Sequence, residues 1–244
     1  MAQRKRIQRR RLGEHLSAVR PGIVDPAAEI AAGRVLVDGR IVTNPASMVP
    51  RDASIVVRGP IVLRGEAKLR AALAAFPDVR LAGRVALDTG AAAGGFTRVL
   101  LAAGARRVYA VDAGHGQLLG SLRQDPRVVN LEATNLADLD RRRVPDVVEV
   151  VTLDLSYLAL AAAAEQLRRV PLADDADLVA LVKPMFELQL AAAPTDRASV
   201  DAAVARAAQG IADAGWEVVA CSESPVRGAR GAVEGFVRAR RRAP

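Results

Sequence analysis

The spacing of apolar positions changes character about a quarter of the way along the chain. In the first sixty residues it is short-ranged. Leu12, Leu16 and Val19 recur at helical intervals after Arg11, and a second helix is predicted over 26–32, stopped by Gly33. Val35-Leu36-Val37-Asp38-Gly39-Arg40-Ile41-Val42 reads as two short strands around an Asp-Gly turn, a strong hairpin signal, and 54–57 as a further strand. A helix is predicted over 66–76, and from there near-continuous apolar runs alternate with helical periods. Strands are expected at 84–88, 107–112, 127–132, 147–154, 178–183, 216–222 and 233–238, with helices at 95–103, 117–123, 158–170 and 197–214. Runs apolar on both faces belong in a buried sheet covered by helices. The expected class is therefore α/β, a doubly wound sheet of about seven strands (60–244) preceded by a small α+β domain (1–59).

Composition narrows the class. Of 244 residues 51% are hydrophobic and 25% charged, which excludes collagen-like, disordered and disulfide-rich chains. The net charge is +8, and it is uneven: residues 1–59 hold eleven basic and five acidic residues. Arg238, Arg240, Arg241 and Arg242 more than account for the rest, so the middle is nearly neutral. This distribution suggests a polyanion-binding module and a basic carboxy-terminal tail on a separate body, although Arg4, Lys5, Arg6, Arg9, Arg10 and Arg11 equally fit a solvated tail. One cysteine, Cys221, permits no internal disulfide and no C-x-x-C zinc site; it is expected as a small buried residue in a reducing, cytoplasmic setting. His15 and His115 have no partner at metal spacing, so no metal is expected. The basic amino terminus is not followed by the apolar stretch of a secretory signal, and the longest apolar run, 157–164, is too short to cross a bilayer. No membrane role is expected.

Ligands of doubly wound sheets sit at the carboxyl ends of the strands. Asp88, Asp112, Glu132, Asp154 and Lys183 fall there. Asp88 opens Asp88-Thr89-Gly90-Ala91-Ala92-Ala93-Gly94-Gly95-Phe96-Thr97, small residues that admit a ligand to the backbone, and Asp112 is placed to accept hydrogen bonds from ribose hydroxyls. The glycines miss the G-x-G-x-x-G spacing of dinucleotide sites. S-adenosylmethionine, which has no pyrophosphate, fits the loop better.

Two stretches carry family resemblances. Ile30-Ala31-Ala32-Gly33-Arg34-Val35-Leu36-Val37-Asp38-Gly39-Arg40, with Asn44-Pro45 and Asp52-Ala53-Ser54-Ile55-Val56-Val57, resembles the S4 RNA-binding domain. That resemblance implies RNA contact, with Arg10, Arg11, Arg34 and Arg40 as phosphate ligands; the family's Ser-Arg pair is replaced by Val24-Asp25-Pro26. The run 88–97 resembles motif I of FtsJ-like methyltransferases, and the chain as a whole is similar to the TlyA or hemolysin A family of rRNA 2′-O-methyltransferases. Further matches are Arg64-Gly65-x-x-Lys68-Leu69, Leu131-Glu132-x-Thr134-Asn135, Asp154-x-Ser156-Tyr157 and Leu181-Val182-Lys183-Pro184-x-Phe186-Glu187.

The resemblance implies a Rossmann-like methyltransferase using S-adenosyl-L-methionine, with ribosomal RNA or ribosomal subunits as partner. Cofactor contacts are expected at Asp88, Gly90, Ala91, Gly94, Gly95, Phe96, Asp112, Thr134, Asn135 and Asp154. The implied catalytic tetrad is Lys68, Asp154, Lys183 and Glu234. Only three of the 35 basic residues are lysine, and two stand in this tetrad. Arginine cannot be deprotonated in practice, whereas a lysine near another cation in a poorly solvated cleft can serve as a base. Departures are Leu63 for a serine, Ala232 for an asparagine, and 188–194 for a glycine-rich loop. They keep open an alternative, a catalytically degenerate RNA- or ribosome-binding assembly factor.

Overall fold

The computed structural model describes residues 8–59, 63–194, 196–228 and 231–241; Arg4, Lys5, Arg6 and Arg242, read above as tail charges, lie outside them. The chain divides into two compact units, Met1–Val62 and Leu63–Pro244.

In the amino-terminal unit β1 (Arg9–Arg11) leads into α1 (Leu12–Val19) and α2 (Pro26–Ala31), followed by β2 (Val35–Val37), β3 (Arg40–Ile41), β4 (Met48–Pro50) and β5 (Ile55–Val57). β2 lies between β3 and β5, antiparallel to both, and β1 pairs antiparallel with β4. Leu12, Leu16, Ile30, Val35, Val37 and Val49 form its core. The hairpin turns where expected: Asp38 (φ 47°) and Gly39 (φ 78°) are both left-handed, as a two-residue primed turn requires. Asp25 accepts the N–H of Ala28 at 2.9 Å and caps α2. The place of the S4 Ser-Arg pair is thus used to start a helix. β1 and β4 were not expected, since three residues that are all arginine or that end in proline show no period-2 pattern.

The second unit runs α3 (Arg64–Ala75), β6 (Val85–Thr89), α4 (Gly95–Ala102), β7 (Arg107–Val111), α5 (Gly120–Arg123), β8 (Val128–Leu131), β9 (Val148–Leu153), α6 (Leu160–Gln166), β10 (Leu172–Val182), α7 (Pro184–Glu187), α8 (Arg197–Asp213), β11 (Trp216–Glu223) and β12 (Gly235–Arg241). One seven-stranded sheet has the order β11-β12-β10-β9-β6-β7-β8. β8, β7, β6, β9 and β10 are parallel, and β12 is inserted antiparallel between β10 and β11. The sheet is therefore mixed. α6 and α8 bury Leu160, Ala163, Ala207 and Ile211 against one face; α3 and α4 bury Leu69, Ala72, Phe96 and Leu100 against the other.

Three expectations need correction. The helix predicted over 117–123 shrinks to α5, because the N–H groups of Gln117 and Leu118 are taken by the Glu132 carboxylate. Arg238, Arg240 and Arg241 belong to β12 rather than to a tail: Arg238 is buried, 3.0 Å from Asp177 and also paired with Asp78, and Arg240 stands 3.7 Å from Asp177. Cys221, expected inside, is exposed on the edge strand β11. Among the described residues no helix is long and apolar enough to cross a membrane.

Candidate active site

At the carboxyl end of β6 the chain turns over the end of β9. Gly90 (φ 81°) makes this possible, since a Cβ there would stand 2.3 Å from the Asp154 carbonyl oxygen. Asp112, just beyond β7, holds the loop from the other side. Its Oδ2 accepts the N–H of Ala92 at 2.8 Å and its Oδ1 that of Gly114 at 2.7 Å. Ala92 (φ 45°) is non-glycine in the left-handed region, a strained conformation that this clamp maintains. Glu132 at the end of β8 gathers the Asn130 amide, the N–H groups of Leu118 and Gln117, and Arg123. These contacts, the Asn130 hydrogen bond foremost, hold its carboxyl down at about 2. Glu132 therefore stays ionised and fixes the loop on the far side.

Between these loops lies a cavity of about 290 Å3, lined by Gly90, Ala92, Asp112, Gln117, Thr134, Asp154, Ser156, Tyr157 and Lys183 among others. Ala91, Gly95 and Phe96 line a small adjoining cavity of about 150 Å3, which shares Gly90, Ala92 and Asp154 with the first. Asp88, Gly94 and Asn135 line neither. Asp88 lies beneath the loop, fully buried, where it accepts hydrogen bonds from Thr97 Oγ1 (2.6 Å) and Thr152 Oγ1 (2.9 Å). Burial, opposed by those hydroxyls, pushes its carboxyl up to about 6. It supports α4 and β9 from inside.

Lys68 on α3, Asp154 after β9, Lys183 after β10 and Glu234 before β12 converge on a second cavity of about 640 Å3. This cavity shares Asp154, Ser156 and Lys183 with the first. Lys68 Nζ and Glu234 Oε2 form a buried ion pair at 2.5 Å. Gly228 admits the Glu234 carboxylate, for a Cβ there would come within 2.2 Å of Oε1. Lys183 Nζ is 2.6 Å from Asp154 Oδ1. That oxygen lies off the direction of a hydrogen bond, so the pair acts through charge. Ser156 Oγ, 2.7 Å from Nζ, accepts a well-formed hydrogen bond. Ser156 was quoted in a matching stretch but was not expected in the site, and its place becomes evident only when β9 and β10 lie side by side. Of the departures, Ala191, Ala192, Ala193 and Ala232 all line the tetrad cavity, which leaves that wall short and apolar. Glu187, buried, accepts the N–H of Leu160 at 2.8 Å and ties α7 to the start of α6. Burial pushes its carboxyl up.

In the amino-terminal unit the β1 alternation puts Arg9 and Arg11, both exposed, on one face and Arg10 on the other. Arg40 is exposed in β3. Arg34 is held by both oxygens of Glu29, at 2.5 and 2.6 Å.

A mixed seven-stranded sheet whose loop cavity opens beside a second, lysine-bearing cavity is the framework of a Rossmann-like methyltransferase. Residues 61–241 match the FtsJ-like methyltransferase family. The chain belongs to that family and, within it, to the TlyA and hemolysin A group. It is 41% identical over 250 aligned positions to the 16S/23S rRNA (cytidine-2′-O)-methyltransferase TlyA of Mycobacterium tuberculosis, covering 97% of this chain and 90% of the relative. Hemolysin A of Brachyspira hyodysenteriae is 33% identical, with 84% of this chain and 88% of the relative covered. Among solved structures, a Streptococcus thermophilus protein provisionally named a hemolysin superposes with a TM-score of 0.70 at 26% identity, covering 97% of this chain and 90% of that one.

Proposed function

We propose that this protein transfers the methyl group of S-adenosylmethionine to a ribose 2′-hydroxyl of ribosomal RNA. The observation that carries the reading is the common wall of the two cavities, where Lys183, Asp154 and Ser156 face both. The first cavity suits the cofactor. Gly90 gives access to the backbone, and the Asp112 carboxylate has lone pairs left for ribose hydroxyls after its two loop contacts. Gly90, Asp112, Thr134 and Asp154 are the proposed contacts, with Ala91, Gly95 and Phe96 beside them. Asp88 and Gly94 shape the loop instead, and Asn135 precedes the turn at 136–138.

S-adenosylmethionine, when bound, supplies a methyl group on a cationic sulfur, which is already an activated electrophile. The protein then has to orient the hydroxyl in line with that methyl and remove its proton. Lys183, facing the second cavity, is the proposed acceptor of the hydroxyl proton. Lys68 and Arg64 line the same cavity. Asp154 orients Lys183, and Glu234 fixes Lys68.

The amino-terminal unit is the S4-like RNA-binding part of this reading. Arg10, Arg11 and Arg40 are its proposed phosphate ligands. Arg34, expected among them, is committed to Glu29. The proposed substrate is ribosomal RNA, free or in a ribosomal subunit, and the proposed setting is the cytoplasm.

The test is Lys183→Arg, assayed by methyl transfer to in vitro transcribed 16S and 23S rRNA. It should keep cofactor binding by calorimetry and lose activity by roughly a hundred- to ten-thousandfold, the range of a general base. Full activity in this variant rules out Lys183 as the base.

A further inference from the structure

The two side chains that hold Lys183 differ in kind. The Asp154 carboxylate attracts Nζ through charge, and its backbone oxygen accepts only a long hydrogen bond from it, at 3.5 Å. Ser156 Oγ accepts the one side-chain hydrogen bond that Lys183 makes among the described residues, at 2.7 Å. Both anchoring segments are fixed. The N–H of Asp154 is bonded to Thr89, and Glu187, four residues after Lys183, accepts the N–H of Leu160, four residues after Ser156.

A carboxylate without directional geometry draws an ammonium along the line of charge and does not fix where its N–H bonds point. A hydroxyl does. It can also accept from the ammonium and, once the lysine is neutral, turn and donate to the amine. Neither a carboxylate nor a carbonyl can make that reversal. Ser156 is therefore the one observed partner of Lys183 suited to both protonation states that a base must visit. The remaining charged and titratable groups facing this point are Arg64, Lys68 and Glu234 across the tetrad cavity and Asp112 and Tyr157 across the first. None of them hydrogen-bonds to Nζ.

We infer that Ser156 is a positioning residue for methyl transfer, holding Lys183 Nζ on the wall between the two cavities through its hydroxyl. The inference rests on the reading of Lys183 as base. During turnover the ribose hydroxyl proton passes to Nζ, the oxygen–methyl bond forms and the sulfur–methyl bond breaks. Lys183 then returns its extra proton to solvent, with Ser156 hydrogen-bonded throughout.

The experiment compares Ser156→Ala and Ser156→Thr with the unaltered full chain. Single-turnover methyl transfer from S-adenosylmethionine to transcribed 16S and 23S rRNA is followed across pH. Ser156→Ala should lower the plateau rate by roughly ten- to a hundredfold, the cost of a misplaced reacting group. Its acid limb should move to lower pH, because a charge-assisted acceptor of the ammonium has been removed. Cofactor affinity and KM for RNA should hold, and Ser156→Thr, which keeps the hydroxyl, should restore both rate and limb. An unchanged plateau and limb in Ser156→Ala overturns the inference; so does a loss confined to KM, or one that threonine fails to rescue. Failure of the underlying reading shows separately, as full activity in Lys183→Arg. Inactive Lys183→Arg beside unaltered Ser156→Ala defeats this inference alone.

Discussion

The same residue type is used differently in the two units. In the amino-terminal unit Arg9, Arg10, Arg11, Arg20, Arg40, Arg51 and Arg58 have no carboxylate within ion-pair distance among the described residues, and Arg34 alone is paired. Three of the five carboxylates there are already engaged: Asp25 caps α2, Asp38 holds the Ser54 N–H, and Glu29 holds Arg34. In the second unit Arg84, Arg98, Arg107, Arg123, Arg127, Arg238 and Arg240 all face carboxylates. A charge count sees only the difference in sums. The structure shows cations left open for an external anion in one unit; in the other, the arginines at and beside the sheet are internal fasteners, while Arg80, Arg141, Arg142 and Arg143 have no carboxylate within ion-pair distance among the described residues.

The strongest way to break that contrast is Asp177→Ala. Asp177 is buried against Arg238 at 3.0 Å, with Arg84 at 3.5 Å and Arg240 at 3.7 Å. Its removal leaves the buried Arg238 guanidinium with Asp78 as its remaining carboxylate and Arg84 without its buried partner, and urea unfolding should show a loss of up to about 3–5 kcal/mol. A loss near zero would mean that the arginines of the second unit are no more committed than those of the first.

Asp88→Asn probes a carboxylate that the arginines never reach. The raised value of about 6 means that the folded state holds the Asp88 proton where the unfolded chain has released it. Its contribution to stability is thus greatest below the ordinary carboxylate value and disappears as pH rises through about 6. At neutral pH the asparagine variant should be more stable by up to about 3 kcal/mol, from roughly two units of displacement. The gain should vanish in acid, as measured by thermal unfolding at several pH values.

The smallest effect sharpens the contrast within the amino-terminal unit. Arg11→Ala and Arg40→Ala should each weaken RNA binding about tenfold and lower the salt slope by roughly one phosphate contact. Arg34→Ala should leave the slope unchanged, because its charge is already met by Glu29. A filter-binding titration against salt separates the two cases; an equal slope change for all three arginines would erase the distinction.

These contrasts also mark what could be read from residue order. The central strands β6, β7 and β9 were legible because both of their faces are apolar, which needs no knowledge of neighbours, and edge strand β11 by its alternation. β10 was read six residues short because Asp174, Asp175 and Asp177 precede its apolar core, and only the pairing with Arg238 explains a buried aspartate there. Lys68 and Lys183 stood out as rare lysines in an arginine-rich chain. Ser156 carried no such signal, since a serine acquires meaning only from what lies 2.7 Å away. Asp88 was legible as a strand-end acid, yet whether it faces the cavity or the interior depends on side-chain direction, which the motif does not encode.

The pairing of Lys68 with Glu234 joins residues 166 positions apart. One stands on the first helix of the second unit; the other precedes the last strand, β12, which must slip between β10 and β11. Such a contact is among the most non-local in the chain, and its loop-closure entropy must be met before it stabilises anything. A partly folded chain can therefore shape the loop cavity from β6, β7 and β9 well before the tetrad exists. On the proposed roles of Lys68 and Glu234, methyl transfer needs the complete sheet, so activity during refolding should lag behind cofactor binding.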